Sequence, residues 1–331
     1  MNPLNTPYLV ITDGGLVLDP VSKIETNIKT LGLQWDRRER HDILDWLTPV
    51  DYGTQQSDYL SRHQAGTGQW LLSHSDFRNW IQTKGATIFC PGMPGAGKTI
   101  ITSAVIDTLR NLFAKDEDVT LAYVYCDFRR YHEQKAEDLL SSLLKQLSQG
   151  RSALPDPMRS LYDEHRRSRT RPSVGDISKT LQSVAAMYSR VFIVIDALDE
   201  CRQAGGQRAQ LLRTVFDLRD KVQVNLFVTS RPIWQIEERF SEDTTIEIRA
   251  TSEDVQSYLA SQMHKVPSFI RRNAGLWEQT KATIAAAVDG MYVRVLDWSV
   301  DMSTNVLGSS WRRFTLMQLP QSRPSGTWNE H

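Results

Sequence analysis

The 331-residue sequence predicts an α/β fold built on a mainly parallel sheet, and two observations carry that expectation. Between residues 87 and 263, short apolar runs rich in β-branched residues alternate with segments whose apolar positions recur at helical spacing. That is the pattern of buried parallel strands covered by helices on both faces. One of these runs leads into Gly92-Met-Pro-Gly95-Ala96-Gly97-Lys98-Thr99, a G-x-x-x-x-G-K-T loop followed at once by a helix-patterned segment. Ligands of such sheets gather at the carboxyl ends of the strands, which is where this loop falls.

Taken in chain order, residues 1–21 hold Asn-Pro, Thr-Pro, Asp-Gly-Gly and Asp-Pro with little periodicity, and read as a flexible N-terminal tail. Residues 22–84 read as a helical packing segment. Ile24, Ile28, Leu31, Leu33, Trp35, Ile43, Leu44, Trp46 and Leu47 suggest one or two amphipathic helices, and Trp70, Phe77 and Trp80 fit a docked helix better than a base-stacking platform. The central domain spans 85–250. Ile88 and Phe89 end its first strand, and Ile101, Ala104, Val105, Thr108, Leu109 and Leu112 repeat along the first helix. Val119 to Cys126 is a second strand, Leu139, Leu140, Leu143, Leu144 and Leu147 form a helical stripe, and Val191–Ile195 and Val224–Thr229 are further strands. Gln207–Leu218 patterns as a helix, and a shorter strand is expected from Thr245 to Ile248. Residues 251–302 read as a helical extension opened by Thr251-Ser-Glu-Asp254, close to a capping box, with its stripe at Val255, Tyr258, Leu259 and Met263. Residues 303–331 are polar and read as a divergent, disordered tail.

Composition narrows the function. Lys plus Arg (39) balances Asp plus Glu (39), so no overall field favours nucleic acid or an anionic membrane, and neither is expected as a partner. The basic run His165–Arg171 reads as a solvated helix end. Cys90, Cys126 and Cys201 match neither a zinc knuckle nor a disulfide framework and read as small core residues. With no leader and no membrane-spanning run, the expected location is cytoplasmic.

The loop is a phosphate cradle. Its glycines let successive backbone N–H groups point at phosphate oxygens, and the helix adds its positive end. Gly92, Gly95, Ala96, Gly97, Lys98, Thr99 and Ile100 are the candidate cofactor-binding residues, with Lys98 reaching the β and γ phosphates and the Thr99 hydroxyl holding Mg²⁺. A cradle of this kind needs a second metal-holding group on a neighbouring strand. Val191-Phe-Ile-Val-Ile-Asp196 supplies a carboxylate at the end of five apolar residues, so Thr99 and Asp196 are the candidate metal ligands. Asp199 or Glu200 lies near enough to polarise an attacking water, though either suits the cap of a following helix equally well. Arg231 ends Phe227-Val-Thr-Ser-Arg, where a guanidinium can bind a γ phosphate bidentately. Asp199, Glu200 and Arg231 are therefore the candidate catalytic residues. The expected fold is a P-loop NTPase three-layer sandwich, preceded by helical segments and followed by a short helical or irregular C-terminal part.

Those pieces resemble the NACHT-type NTPases of the signal-transducing, numerous-domain (STAND) class. The resemblance is nearest to fungal proteins whose nephrocystin-like module is followed by ankyrin or WD repeats. It rests on Ile43-Leu-Asp-Trp-Leu, Gly66-Thr-Gly-Gln-Trp-Leu-Leu, Pro91-Gly-Met-Pro-Gly-Ala-Gly-Lys-Thr, Tyr125-Cys-Asp-Phe, Phe192-Ile-Val-Ile-Asp-Ala-Leu-Asp-Glu-Cys, Val228-Thr-Ser-Arg-Pro and Asp289-Gly-Met-Tyr. Most diagnostic is Asp196-Ala197-Leu198-Asp199-Glu200, with a small residue after the metal aspartate and an acidic residue two positions beyond it. The resemblance implies a Walker A loop at Lys98 and Thr99, a Walker B aspartate at Asp196, water activation by Asp199 or Glu200, and Arg231 as sensor. It also implies Mg²⁺ and ATP as cofactors, with GTP as the other nucleotide to test. Nucleotide binding then closes a signalling switch of the immunity or incompatibility kind and promotes homo-oligomerisation, while slow hydrolysis holds it off.

This sequence departs from that pattern after Tyr292, where the usual apolar helix and repeats give way to a polar tail, so a truncated or alternatively terminated gene product is expected. The alternative function is a nucleotide-binding interaction module that does not hydrolyse. A small-molecule kinase is disfavoured by the Asp-Ala-Leu-Asp-Glu strand end.

Overall fold

The computed structural model describes residues 9–12, 15–18, 20–130, 134–261 and 272–287. Met263, the Asp289–Tyr292 motif and the expected tail at 303–331 lie outside them.

Within residues 1–21, β1 (Leu9–Thr12) and β2 (Gly15–Leu18) form an antiparallel hairpin. One long helix follows, α1 (Pro20–Leu47). Its last turns bury Ile43 and Leu44 in the core, whereas Ile24, Ile28, Leu31 and Trp35, expected as packing residues, are exposed. Polar ties fix that inner end. Arg40 donates to the carbonyls of Gln149, Arg151 and Ser152, and Lys145 donates to Asp45 and to the Thr48 carbonyl. The short helices α2 (Gly53–Ser61), α3 (Gln69–Leu72) and α4 (Ser75–Gln82) come next. Phe77 and Trp80 of α4 are buried, and Trp80 packs on Phe192 and Phe227, so these aromatics are packing residues as expected.

Five strands make the central sheet: β3 (Thr87–Pro91), β4 (Val119–Tyr125), β5 (Arg190–Asp196), β6 (Asn225–Ser230) and β7 (Thr244–Thr245). Their order is β4-β5-β6-β3-β7, and every pairing is parallel. The apolar runs read as central strands are buried on both faces: every residue of β3 and β6, and Val191–Asp196 of β5. Pairing beyond β7 continues through Ile246, whose N–H donates to the Phe89 carbonyl, and Ile248, whose N–H donates to that of Pro91. The expected strand at 245–248 is thus an edge held by single bonds.

Helices α5 (Lys98–Leu112), α6 (Ala136–Gln149), α7 (Asp156–Ser168), α8 (Val174–Ala185), α9 (Gln207–Val222) and α10 (Trp234–Glu237) complete the α/β body. α2 lies against α5, while α6, α8 and α9 pack on one another. The α6 leucines are all fully buried. α8 is opened by a capping box in which Ser173 and Asp176 satisfy each other's backbone N–H groups. The basic run lies at the end of α7, favourably placed against the helix dipole. Two further helices, α11 (Ser252–Ser261) and α12 (Ala274–Ala287), touch each other after the sheet.

Candidate functional site

The register of the sheet brings the sequence-predicted residues to one edge. Pro91 pairs with Ser230 and Tyr125 with Asp196, so β3, β4, β5 and β6 end side by side. The order places β6 between β3, which carries the glycine loop, and β5, which carries Asp196. Asp196 therefore approaches α5 across the end of β6, and residues of β6 must line the gap.

The glycine loop adopts the conformation its residues permit. Gly95 and Gly97 sit at φ 79° and 88°, a region costly for residues with a Cβ. Gly92 is required for a different reason: a Cβ there would lie 2.6 Å from the Ile248 carbonyl oxygen, on backbone that cannot yield cheaply. α5 begins at Lys98, with the N–H of Ile101 donating to the Gly97 carbonyl. The Lys98 ammonium folds back over the loop and donates to the carbonyls of Gly92 (2.7 Å) and Met93 (3.1 Å). Its pKa is lowered by burial, against the pull of Asp199 and Asp196.

Asp196 is 1% exposed, and three hydroxyls hold it. Thr99 donates to one carboxylate oxygen at 2.7 Å, and Thr102 and Thr229 donate to the other at 2.9 and 2.7 Å. Burial raises its pKa, and those three hydrogen bonds pull the other way. Thr102 and Thr229 were not among the sequence candidates. Thr102 was findable, being three residues beyond Thr99 and so on the same helical face. Thr229 became meaningful only once β6 was known to lie beside β5. Its hydroxyl also accepts the N–H of Ala197, which holds left-handed backbone at φ 52°. A small side chain suits that turn.

The two acidic followers diverge. Asp199 accepts the backbone N–H of Arg231 at 2.9 Å and pairs with its guanidinium at 3.0 Å. Glu200 lies 3.8 Å from that guanidinium and accepts the N–H of Phe128 at 3.2 Å. Burial raises the Glu200 carboxyl above its ordinary range, with the neighbouring Asp199 charge adding to the effect. Asp199 is thus engaged in holding Arg231, and Glu200 is the less tightly paired of the two carboxyls.

The donor set fits Mg²⁺. A hydroxyl and a carboxylate 2.7 Å apart are hard oxygen donors, and this ion takes most of its remaining ligands from phosphate and water. Among the described residues no group of three or more His, Cys, Asp or Glu could form an all-protein metal cage.

Comparison with known proteins finds one matching family and a set of similar solved structures. The family model described as nephrocystin 3, N-terminal, matches residues 66–231, a span that contains every candidate site residue. No curated protein matches the chain. Similar solved structures include Cdc6p from Pyrobaculum aerophilum, 14% identical, with 64% of this chain and 52% of that one covered and a TM-score of 0.40. AMPPCP-bound DnaA from Aquifex aeolicus is 13% identical over 78% of this chain and 70% of that one, with a TM-score of 0.42. The Aeropyrum pernix ORC1 protein in complex with DNA is 17% identical over 77% and 61%, with a TM-score of 0.41. The chain spans about half the length of the first of these.

Proposed function

This chain belongs to the nephrocystin 3 N-terminal family, and we propose that it is a NACHT-type, STAND-class nucleotide switch that binds ATP with Mg²⁺ and hydrolyses it slowly. The observation that carries the proposal is the Thr99 hydroxyl bonded to the buried Asp196 carboxylate, directly beyond the Gly97 turn.

In this reading, backbone N–H groups from Gly92 to Ile100 cradle the phosphates. Lys98 leaves its two carbonyl partners for phosphate oxygens, which accept more strongly because they are charged. Thr99 and Asp196 would hold Mg²⁺, which when bound offsets phosphate charge. Glu200 orients and deprotonates the attacking water, and Arg231, steered by Asp199, meets the γ phosphate. The domain unit is 85–250, with 22–84 as packing segment and 251–302 as extension. ATP is preferred over GTP, the module self-associates in its triphosphate state, and it is of the fungal repeat-protein kind. No described helix is long and apolar enough to cross a membrane, and we place the protein in the cytoplasm.

A second reading, a nucleotide-binding module without hydrolysis, is favoured by the Arg231–Asp199 pair, which withholds both groups from a phosphate. Binding of labelled ATP and GTP separates these readings from none at all. Wild type binds ATP and Lys98→Ala does not; equal binding by the variant would refute the site. Single-turnover hydrolysis then divides the two. A wild-type rate that Glu200→Gln does not lower would leave only the second.

A further inference from the structure

Helix α1 turns two different faces to its surroundings. Its inner end meets the body: Ile43 and Leu44 are buried, Trp46 meets the Tyr162 ring edge-on, and Glu39 pairs with Arg159 of α7 at 2.8 Å. Its outer part carries Ile24, Ile28, Leu31 and Trp35, which are 57, 62, 54 and 71% exposed. At 3.6 residues per turn these four fall within about 60° of one another, and Ile43 and Leu44 lie about 90° and 170° further round. Along the line of the outer stripe, the inner end presents Arg38 and Asp42, both exposed. The apolar face therefore looks away from the body and leaves room for another helix.

The spacing of the stripe is that of a helix–helix seam. Ile24 and Leu31 are seven positions apart, as are Ile28 and Trp35, and the two pairs interleave as the d and a positions of a heptad. A helix that covers a globular core has a wider apolar stripe than this one. The size of the face also bears on what covers it. Its four residues expose about 500 Å² on each copy, near the upper end for the largest apolar patch of a monomer. Two copies face to face bring together about 1,000 Å², the size at which a specific interface begins. That is enough for a weak, concentration-dependent dimer.

We propose that the outer half of α1 pairs with α1 of a second copy of this chain, antiparallel about a two-fold axis. Antiparallel pairing sets each a position against a d position. Ile28 then packs on Leu31 of the second copy and Ile24 on its Trp35, so every layer joins residues of the stripe and the face is complementary to itself. Charge selects this direction. In a parallel pair Arg38 would face Arg38 and Asp42 would face Asp42, like charges directly opposed. The antiparallel pair carries both residues toward and past the start of the other helix. It also puts the two bodies at opposite ends, where Arg40 and Lys145 fasten each α1 to its own α6 region. The pairing needs no nucleotide, and so differs from the triphosphate-driven association proposed above. Because it joins two chains beforehand, it raises the effective concentration at which that second contact forms.

The test is sedimentation equilibrium of the purified full chain without nucleotide, at loading concentrations from about 5 to 200 μM. Wild type should move from one chain toward two across that range. Ile28→Glu and Leu31→Glu should each weaken the association at least about 10-fold, with far-UV circular dichroism unchanged because both sites are on the surface. Leu112→Glu, at an exposed leucine of α5 away from the stripe, should leave it as it is. A wild type that stays monomeric overturns the pairing, as it would if another segment of the chain or a different protein covers the stripe. A dimer that both stripe variants retain overturns it too, since the contact then lies elsewhere. Asp42→Ala reads the direction. The antiparallel pair should keep its affinity within about 2-fold, and a gain of about 5-fold or more would mean that the helices run parallel.

Discussion

Asp199 and Glu200 are adjacent carboxylates given different tasks by their partners. Asp199 meets the Arg231 guanidinium at 3.0 Å and its backbone N–H, while Glu200 lies farther from that guanidinium, at 3.8 Å, accepts the Phe128 N–H and has a raised pKa caused mainly by burial. A carboxylate paired with a cation is a poor base, and one destabilised as an anion is a better one. Glu200→Gln should therefore lower single-turnover hydrolysis by at least about 100-fold with ATP affinity retained. Asp199→Asn should act on Arg231 instead, changing the ratio of ATP to ADP affinity more than the rate. Binding isotherms for both nucleotides with both variants check this; equal effects on rate would remove the division of labour. The sequence left the two residues as alternatives because adjacent acids at a strand end look alike until their partners are known. It singles out Lys98, Thr99, Asp196 and Arg231 as candidates because each is marked by its place at the end of an apolar run or in the glycine loop. Thr102 and Thr229 carry no such mark, since a threonine on a helix or strand is ordinary until topology supplies a buried carboxylate beside it.

At the scale of elements, the contact between α11 and the turn before α3 ties α11 to a turn that lies against α5, the helix that follows the glycine loop. Asp254, 4% exposed, accepts the Gly68 N–H at 3.0 Å and the Trp70 indole N–H at 3.1 Å. Gly68 holds φ 73°, and a Cβ there would lie 3.3 Å from Ile101 of α5. The helix start was legible in the Thr251 cap, and the structure bears that out, as the Asp254 N–H donates to the Thr251 hydroxyl at 3.1 Å. The partner was not, being 186 positions away along the chain. Asp254→Ala leaves one buried and one part-buried donor unmet and should cost about 1–3 kcal/mol. The loss should appear both as a lower urea midpoint and as faster proteolysis near Gly66–Gln69. A variant as stable and as resistant as wild type would show that α11 does not brace the turn. α8 was overlooked for a related reason. Ile177, Leu181 and Val184 recur at helical spacing, but they follow an arginine- and proline-rich stretch that reads as a solvated helix end, and only burial against α6 reveals them as core.

For the whole molecule, alternation of strands and helices announced a parallel sheet but not its order, because strand order depends on which helix crosses which edge. The order determines how the segment before β3 must attach, with α1 reaching α6 through Asp45 and Lys145 at 2.9 Å. Lys145 is nearly buried and Asp45 about half-exposed, so the pair contributes as a screened contact, on the order of 1 kcal/mol, rather than as a buried one. Its pH dependence has a definite sign. The hydrogen bond from Lys145 is the largest cause holding the Asp45 carboxyl below its ordinary range, with His41 adding a smaller pull in the same direction. A group whose folded pKa is depressed lends stability that is complete above its unfolded value, about 3.9 for aspartate, and is lost as pH falls through the folded value. Wild type should therefore exceed Asp45→Asn in stability by a constant margin from neutral pH to about pH 5, and the margin should shrink toward zero below about pH 4. Urea unfolding of both proteins across that range measures it. A margin that persisted to pH 3 would mean that Asp45 acts through packing, and that α1 is fastened to the body by Arg40 and its carbonyls instead.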